Sequence, residues 1–254
     1  MLSDGSKKRN RQGFLSLSEI LTILLAYHQS GMVCFKFFYL TLMQTARNLF
    51  PRLVHYARFV KRISYAFPAL VCMFKSLLGE VTEYMFIDST PHPVCHIRRE
   101  KRHKVFKGLA AKGKTSTGWF FGLKLHMIFN TFGEIARLVV TPGNTDVRSP
   151  VRDMVEGLMG KLIGDKGYLC KKLFEDLFEG GIQLITKIKK NMKKCLMETA
   201  DKLMLMKRSF IETLFSSIKS LNTFVHTRHR NPTNALTHPL PGLSITSSET
   251  INPH

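Results

Sequence analysis

Acidic side chains are scarce in this chain: 18 Asp and Glu stand against 38 Lys and Arg, a formal net charge of +20 over 254 residues. That excess points to a polyanionic partner, nucleic acid before an acidic membrane surface. Cysteine is sparse and scattered, at positions 34, 72, 95, 170 and 195, with no Cys-x2-Cys pair. Neither a disulfide framework nor a zinc knuckle is suggested, and a reducing cytoplasm is the expected compartment. Long uncharged apolar runs are missing as well. The most apolar stretch, residues 20–43, is interrupted by His28, Gln29 and Lys36, short of the roughly 20 residues that a bilayer demands. The opening "MLSDGSKKRNRQG" is basic but no small-residue cleavage site follows, so no signal peptide is expected.

What is present is a globular composition, 44% hydrophobic, enough for one substantial core with a small second lobe. After a basic lead-in, "SLSE" has capping-box spacing, Ser16 to Glu19, before the helical run "ILTILLAYH". Residues 1–80 read as a helical, DNA-binding lobe broken at Pro51 and Pro68. From residue 81 the texture changes. "VTEYMFIDST" is a strand expected to end at Asp88, and a basic loop follows it. "WFFGLKLHMIFN" and "EIARLVVTPGN" read as a hairpin turning near Thr131 to Gly133. "SPVRDMVEGLM" is a helix, "KLIGD" a strand, "LCKKLFEDLFEGG" a helix, "IQLITKIKK" a strand, and the stretch around "KRSFIETLF" a long helix. This order predicts an α/β fold, a mixed sheet flanked by helices. Residues 81–231 form the expected catalytic domain, and the Pro-, Ser- and Thr-rich residues 232–254 a polar, disordered tail.

In so basic a chain three carboxylates stand out by position. Asp88 and Asp165 each close a strand, and Glu212 lies on the last long helix. Strand ends and a flanking helix can converge on one point in an open sheet. Carboxylates gathered there repel one another unless cations lie between them, and hard oxygen ligands select Mg²⁺ or Mn²⁺. Two such ions about 4 Å apart support phosphoryl transfer. Around Glu212, Arg208 and Lys219 follow the spacing Arg-x3-Glu-x6-Lys, which sets all three in one narrow stripe of a helix. The plainer alternatives are a turn at Asp165 and a surface ion pair on the helix.

Taken together, "SLSEILTILLAYHQSG", "FIDSTP", "GWFFGLKLH", "TPGNTDVRSP", "IGDKGY", "LITKIKKNMK", "KRSFIETLF" and "HTRHRNPTN" match a known pattern over most of residues 14–234. The chain resembles the DDE transposases of bacterial insertion sequences, in the group with a Tyr-x2-Arg-x3-Glu-x6-Lys signature, and in particular their nine-eighty-two group. The resemblance implies a ribonuclease H-like core, and Asp88, Asp165 and Glu212 as a catalytic, metal-binding triad for Mg²⁺, with Mn²⁺ as substitute. It implies that Arg208 and Lys219 hold DNA-end phosphates. Apart from the resemblance, "HTRHR", with Arg228 and Arg230, reads as a phosphate-contacting cluster or a solvated surface, and Lys166 is expected to bind DNA. The expected partners are an element's terminal inverted repeats and target DNA, bound by a homodimer on paired ends in a bacterial cytoplasm, at the nucleoid. No membrane is expected.

Three departures from the group are visible. Leu205 stands where the signature has tyrosine, the chain starts close to the "SLSE" helix, and a polar tail follows "NPTN". They lead to the expectation of a truncated or frameshifted copy, and to the alternative of a catalytically inactive DNA-binding remnant. Other features have plainer readings. His92, Cys95, His96 and His103 fit no standard zinc spacing. Trp119 and His126 are expected in the core, and Asp146 is explained by capping.

Overall fold

The computed structural model describes residues 15–116, 118–187, 198–220, 231–237 and 239–243, and within these not the side chains of 210, 211 and 214–220. Three helices come first: α1 (Leu17–Gln29), α2 (Phe35–Thr45) and α3 (Tyr56–Ser76). The capping box forms as read, with Ser16 N donating to Glu19 Oε2 at 2.7 Å and Glu19 N donating to Ser16 Oγ at 3.2 Å. In α3 the buried residues Phe59, Ile63, Ala66, Leu70 and Phe74 recur at steps of three and four, a single inward stripe. Pro68 was expected to break this helix and does not. It sits on the exposed face, where water can take up the carbonyl that lacks its helical donor.

Six strands follow: β1 (Tyr84–Cys95), β2 (Ala111–Thr115), β3 (Gly118–Phe129), β4 (Ile135–Pro142), β5 (Gly160–Gly164) and β6 (Ile182–Thr186). They form one mixed sheet in the order β2-β3-β1-β5-β6, with β4 also paired to β3. The long β3 is antiparallel to β1 along one edge; its other edge carries β2 at its start and β4 further on. The β3–β4 hairpin turns through Asn130, whose side chain accepts from Phe132 N and Glu134 N, close to where the sequence put it. Strand β2, "AKGKT", lies within the expected basic loop. It has little strand propensity of its own and is held by the ladder to β3. At Gly122, opposite Pro93, an added Cβ would lie 2.1 Å from His92 O, so only glycine allows this approach.

Strand β1 does not end at Asp88, as expected from sequence, but runs on to Cys95 through Pro91 and Pro93. What ends near Asp88 is the pairing with β5, whose last registered pair is Phe86 with Ile163. Beyond it β1 continues along β3, and prolines are tolerated on the side that faces away from that ladder.

Both faces of the sheet are covered. Phe86, Leu125, Met127, Phe129, Ile163 and Ile185 pack beneath α1–α3 and the 22-residue α6 (Thr199–Ser220) in one core. Ile87, Ile128, Leu162 and Leu184 face the short helices α4 (Val151–Val155) and α5 (Lys171–Glu179). The first helices therefore share a core with the sheet. Of the expected disordered tail, residues 232–254, the structure describes 232–237 and 239–243, and these are helical. Helix α7 (Pro232–Thr237) and the helical residues 239–243 dock on α3, with Ala235, Leu240 and Leu243 buried and Asn234 Nδ2 donating to Val60 O at 3.1 Å. Proline at the first helical position, followed by small and apolar side chains, builds a short helix that tertiary packing stabilises.

Candidate active site at the fork of two parallel strands

Asp88 and Asp165 each stand two residues beyond the last paired residues of neighbouring parallel strands, Phe86 of β1 and Ile163 of β5. The sheet forks between them. Parallel strands splaying at their carboxyl ends leave a crevice, the usual place for a site in such sheets. Around Asp165 the sequence "GDKGY" folds as a tight unit. A short 3-10 turn, Lys166–Tyr168, begins at Asp165, whose Oδ1 accepts from Gly167 N at 2.7 Å. A Cβ on Gly167 would lie 2.8 Å from that same oxygen. Turn and carboxylate are thus one structure, and the plain reading of Asp165 as a turn former is correct.

Tyr168 then folds back beneath the fork, 1% exposed. At Gly164 an added Cβ would meet Tyr168 Cδ2 at 3.0 Å and Ile87 Cγ2 at 3.3 Å, so the glycine makes room for the ring. Burial drives the Tyr168 hydroxyl's pKa up, and the charges of Asp88 and Asp165 push it further. The hydroxyl therefore stays protonated while lying close to both carboxylates. Sequence reasoning missed this tyrosine; its signal was the apolar ring three residues after Asp165, on a turn that had to bury it.

From the other side α6 supplies Arg208, whose Nη2 lies 4.0 Å from Asp88 Oδ2 and 3.6 Å from Glu212 Oε1. The guanidinium is only 14% exposed, whereas Glu212 is 62% exposed. The structure thus brings Asp88, Arg208 and Glu212 together, with Asp165 across the fork. Among the described residues no three His, Cys, Asp or Glu side chains gather closely enough to hold one ion. Lys166 is exposed on the turn after Asp165. The Lys219 side chain, Arg228 and Arg230 lie outside the described residues.

The position of α6 is set from its first turns. Asp201, buried, accepts from Lys161 Nζ at 2.7 Å and from the Tyr84 hydroxyl at 2.9 Å. Asp201, Arg208 and Glu212 are seven and four residues apart, which places them on one helical stripe. Leu205, in the place of the signature tyrosine, packs partly buried against the core between them.

Behind the sheet, His126 is fully buried and bonds Thr141 Oγ1 through Nε2 at 2.9 Å. Burial first, then the neighbouring Lys124, lowers its pKa to about 4. It is a neutral core histidine, as read. Asp146 does not cap α4. Its carboxylate grips Arg148 through side chain and backbone and is held near pKa 2 by those bonds. Trp119 corrects a second expectation: it is 57% exposed, because it opens β3 beyond the helices that cover the rest of that face.

No helix among the described residues is long and apolar enough to cross a membrane. No curated protein matches the chain. A solved structure of piggyBac transposase in a synaptic complex with hairpin DNA aligns with 70% of this chain and 49% of its own, at a TM-score of 0.50 and 8% identity. The chain spans about half the length of that neighbour, and the likeness is one of fold. Residues 78–232, more than half of the chain, match the family described as transposase DDE domain. With this match and the mixed sheet that carries its carboxylates at a strand fork, the chain belongs to the DDE transposase family.

Proposed function

We propose that the chain cuts DNA at the terminal inverted repeats of an insertion sequence and joins the freed 3′-hydroxyls to target DNA. The observation that carries this reading is the pair Asp88 and Asp165, each two residues beyond the last β1–β5 pair, with Arg208 against Asp88. The core is then ribonuclease H-like, as the strand order suggests.

The donor set fits a hard divalent cation. Asp88 and Asp165 offer carboxylate oxygens on the two sides of the fork, and Glu212 adds a third on a mobile-length side chain from α6. Arg208 already meets the negative charge between Asp88 and Glu212, which argues that this charge needs a cationic partner. Mg²⁺, or Mn²⁺ in its place, held there would activate the attacking oxygen and stabilise the leaving oxygen. The chain's own residues do the rest. Arg208 steadies Asp88 and, with Lys166, Lys219, Arg228 and Arg230, neutralises DNA phosphates. Tyr168, buried, keeps its proton beneath the carboxylates and offers them a hydrogen-bond donor rather than an acid. A homodimer would pair two element ends.

The test is nicking of supercoiled and end-labelled DNA by the full chain in Mg²⁺ and in Mn²⁺. The Asp88→Asn variant is expected to lose metal-dependent cleavage while DNA binding stays nearly unchanged. Cleavage that persists in this variant would refute the assignment. Leu205, partly buried where the signature carries a tyrosine, favours a second reading, an inactive DNA-binding remnant. That reading predicts DNA binding with no nicking in either metal, even by the unaltered chain.

A further inference from the structure

The chain has a single tryptophan, and the fold leaves it open. Trp119 opens β3 on the face that further along carries Phe121 and Leu123, which are buried, yet Trp119 itself is 57% exposed. Lys112 Nζ lies 5.0 Å from its ring centroid and Lys114 Nζ 5.6 Å. Lys114 is its cross-strand partner and Lys112 stands two residues along on the same face of β2, both exposed. The approach to this ring is strongly basic. Residues 97–115 hold eight Lys or Arg and one acid, Glu100, and the six cations that precede Lys112 are all exposed.

We propose that Trp119, Lys112 and Lys114 form a stacking site for an unpaired base of single-stranded DNA. This rests on the DNA-processing reading above and adds to it a ligand and a place. An indole that is 57% exposed accepts any base by stacking, and the two ammonium groups over its ring are placed to meet the phosphates of the stacked strand. A duplex hides the faces of its bases and offers such a ring little. A protein partner would meet one apolar side chain in a field of cations, too little to dock on. The site also lies at a usable distance. Trp119 is eight residues along β3 from Met127, the cross-strand partner of Asp88, about 26 Å at strand rise. That is about eight nucleotide steps at the rise of one strand in a duplex, and fewer for a stretched single strand. A strand cut at the fork, with its end freed from the duplex, would reach the ring.

Because Trp119 is the single tryptophan, its fluorescence reports this site alone. The full chain is titrated with a 12-nucleotide oligo(dT), with a duplex of equal length and with polyphosphate, while anisotropy of labelled DNA follows binding independently. Expected are quenching by oligo(dT) and little quenching by duplex or polyphosphate. Trp119→Ala should bind oligo(dT) at least about fivefold more weakly, while Trp119→Phe retains most of the affinity. The double variant Lys112→Gln/Lys114→Gln should reduce the salt slope of oligo(dT) binding by about 1.4. Binding without quenching, or unchanged affinity in Trp119→Ala, overturns the proposal and leaves the ring as a cross-strand brace of the hairpin. Equal quenching by duplex overturns the assignment to an unpaired base. Failure to bind any DNA removes the functional reading and this site together, whereas nicking with no quenching removes this site alone.

Discussion

Replacing Leu243 with alanine tests whether the chain beyond the family match is part of the fold. Leu243 is 1% exposed and belongs to the same core as α1–α3 and the sheet. The substitution removes three buried carbons, a transfer loss of about 2.4 kcal/mol at 0.8 per methylene. A cavity penalty adds to this, and Leu→Ala changes in cores span about 2–5 kcal/mol. Leu243 already borders an apolar cavity of about 380 Å³ lined also by Phe67, Val71 and Leu240. One side of the side chain therefore makes few contacts, and the cost belongs near the lower end, about 3 kcal/mol. For a chain of this size that corresponds to about 6–12 °C in melting temperature. Urea unfolding and thermal melts of the variant measure it, with Leu203→Ala as a control, since Leu203 is 55% exposed and should cost under about 0.5 kcal/mol. If Leu243→Ala unfolds with its control, residues 239–243 do not pack against the core, and the polar-tail reading returns.

Two further outcomes follow from buried polar groups. His126 has its pKa lowered to about 4 from 6.5 by burial, and its Nδ1 finds no hydrogen-bond partner among the described residues. Its folded pKa is depressed, so this stabilisation is complete above about pH 6.5 and is lost as pH falls toward 4. Over that span the loss is about 3 kcal/mol. Urea midpoints between pH 7 and 4.5 should show it, and His126→Gln should flatten that part of the profile; an identical slope in the variant would exclude His126 as its source. Asp201→Asn should weaken the anchor of α6 to Lys161 and Tyr84, lowering the melting temperature by a few degrees. It should also slow nicking more than it weakens DNA binding, because Arg208 and Glu212 share its stripe. Nicking and binding that fall in proportion would mean that Asp201 only stabilises.

The parts of the fold legible in the sequence are those set by short-range physics. The capping box at Ser16 and Glu19, the apolar stripe of α3, the hairpin through Asn130 and the strand–helix–strand run of β5, α5 and β6 all announce themselves within a dozen residues. What was misread depends on distant partners. "AKGKT" becomes a strand because β3 offers an edge. Trp119 follows the alternation of its strand, yet nothing in "GWFFG" tells that the covering helices stop short of its first turn. Residues 232–243 look polar letter by letter, and only docking on α3 shows that Leu240 and Leu243 were the ones that mattered.

The site divides in the same way. That Arg208 and Glu212 face together is arithmetic on one helix; that Arg208 also reaches Asp88 requires α6 to lie across β1. The placement of Asp88 and Asp165 at one fork is a matter of register. Each stands two residues past a paired partner, and a slip of one residue between β1 and β5 would turn one carboxylate to the opposite face. The register is held from both ends. Lys161 N donates to Glu83 O at 2.7 Å where β5 begins, and at its close Gly164 admits the Tyr168 ring against Ile87 of β1. Between these two points the pairing cannot shift without losing a buried ring or a backbone bond. An acidic residue at the end of "KLIGD" in so basic a chain thus has a structural reason, to which the proposed function adds a chemical one. Its turn seats the tyrosine that fixes the register, and the register brings its carboxylate opposite Asp88.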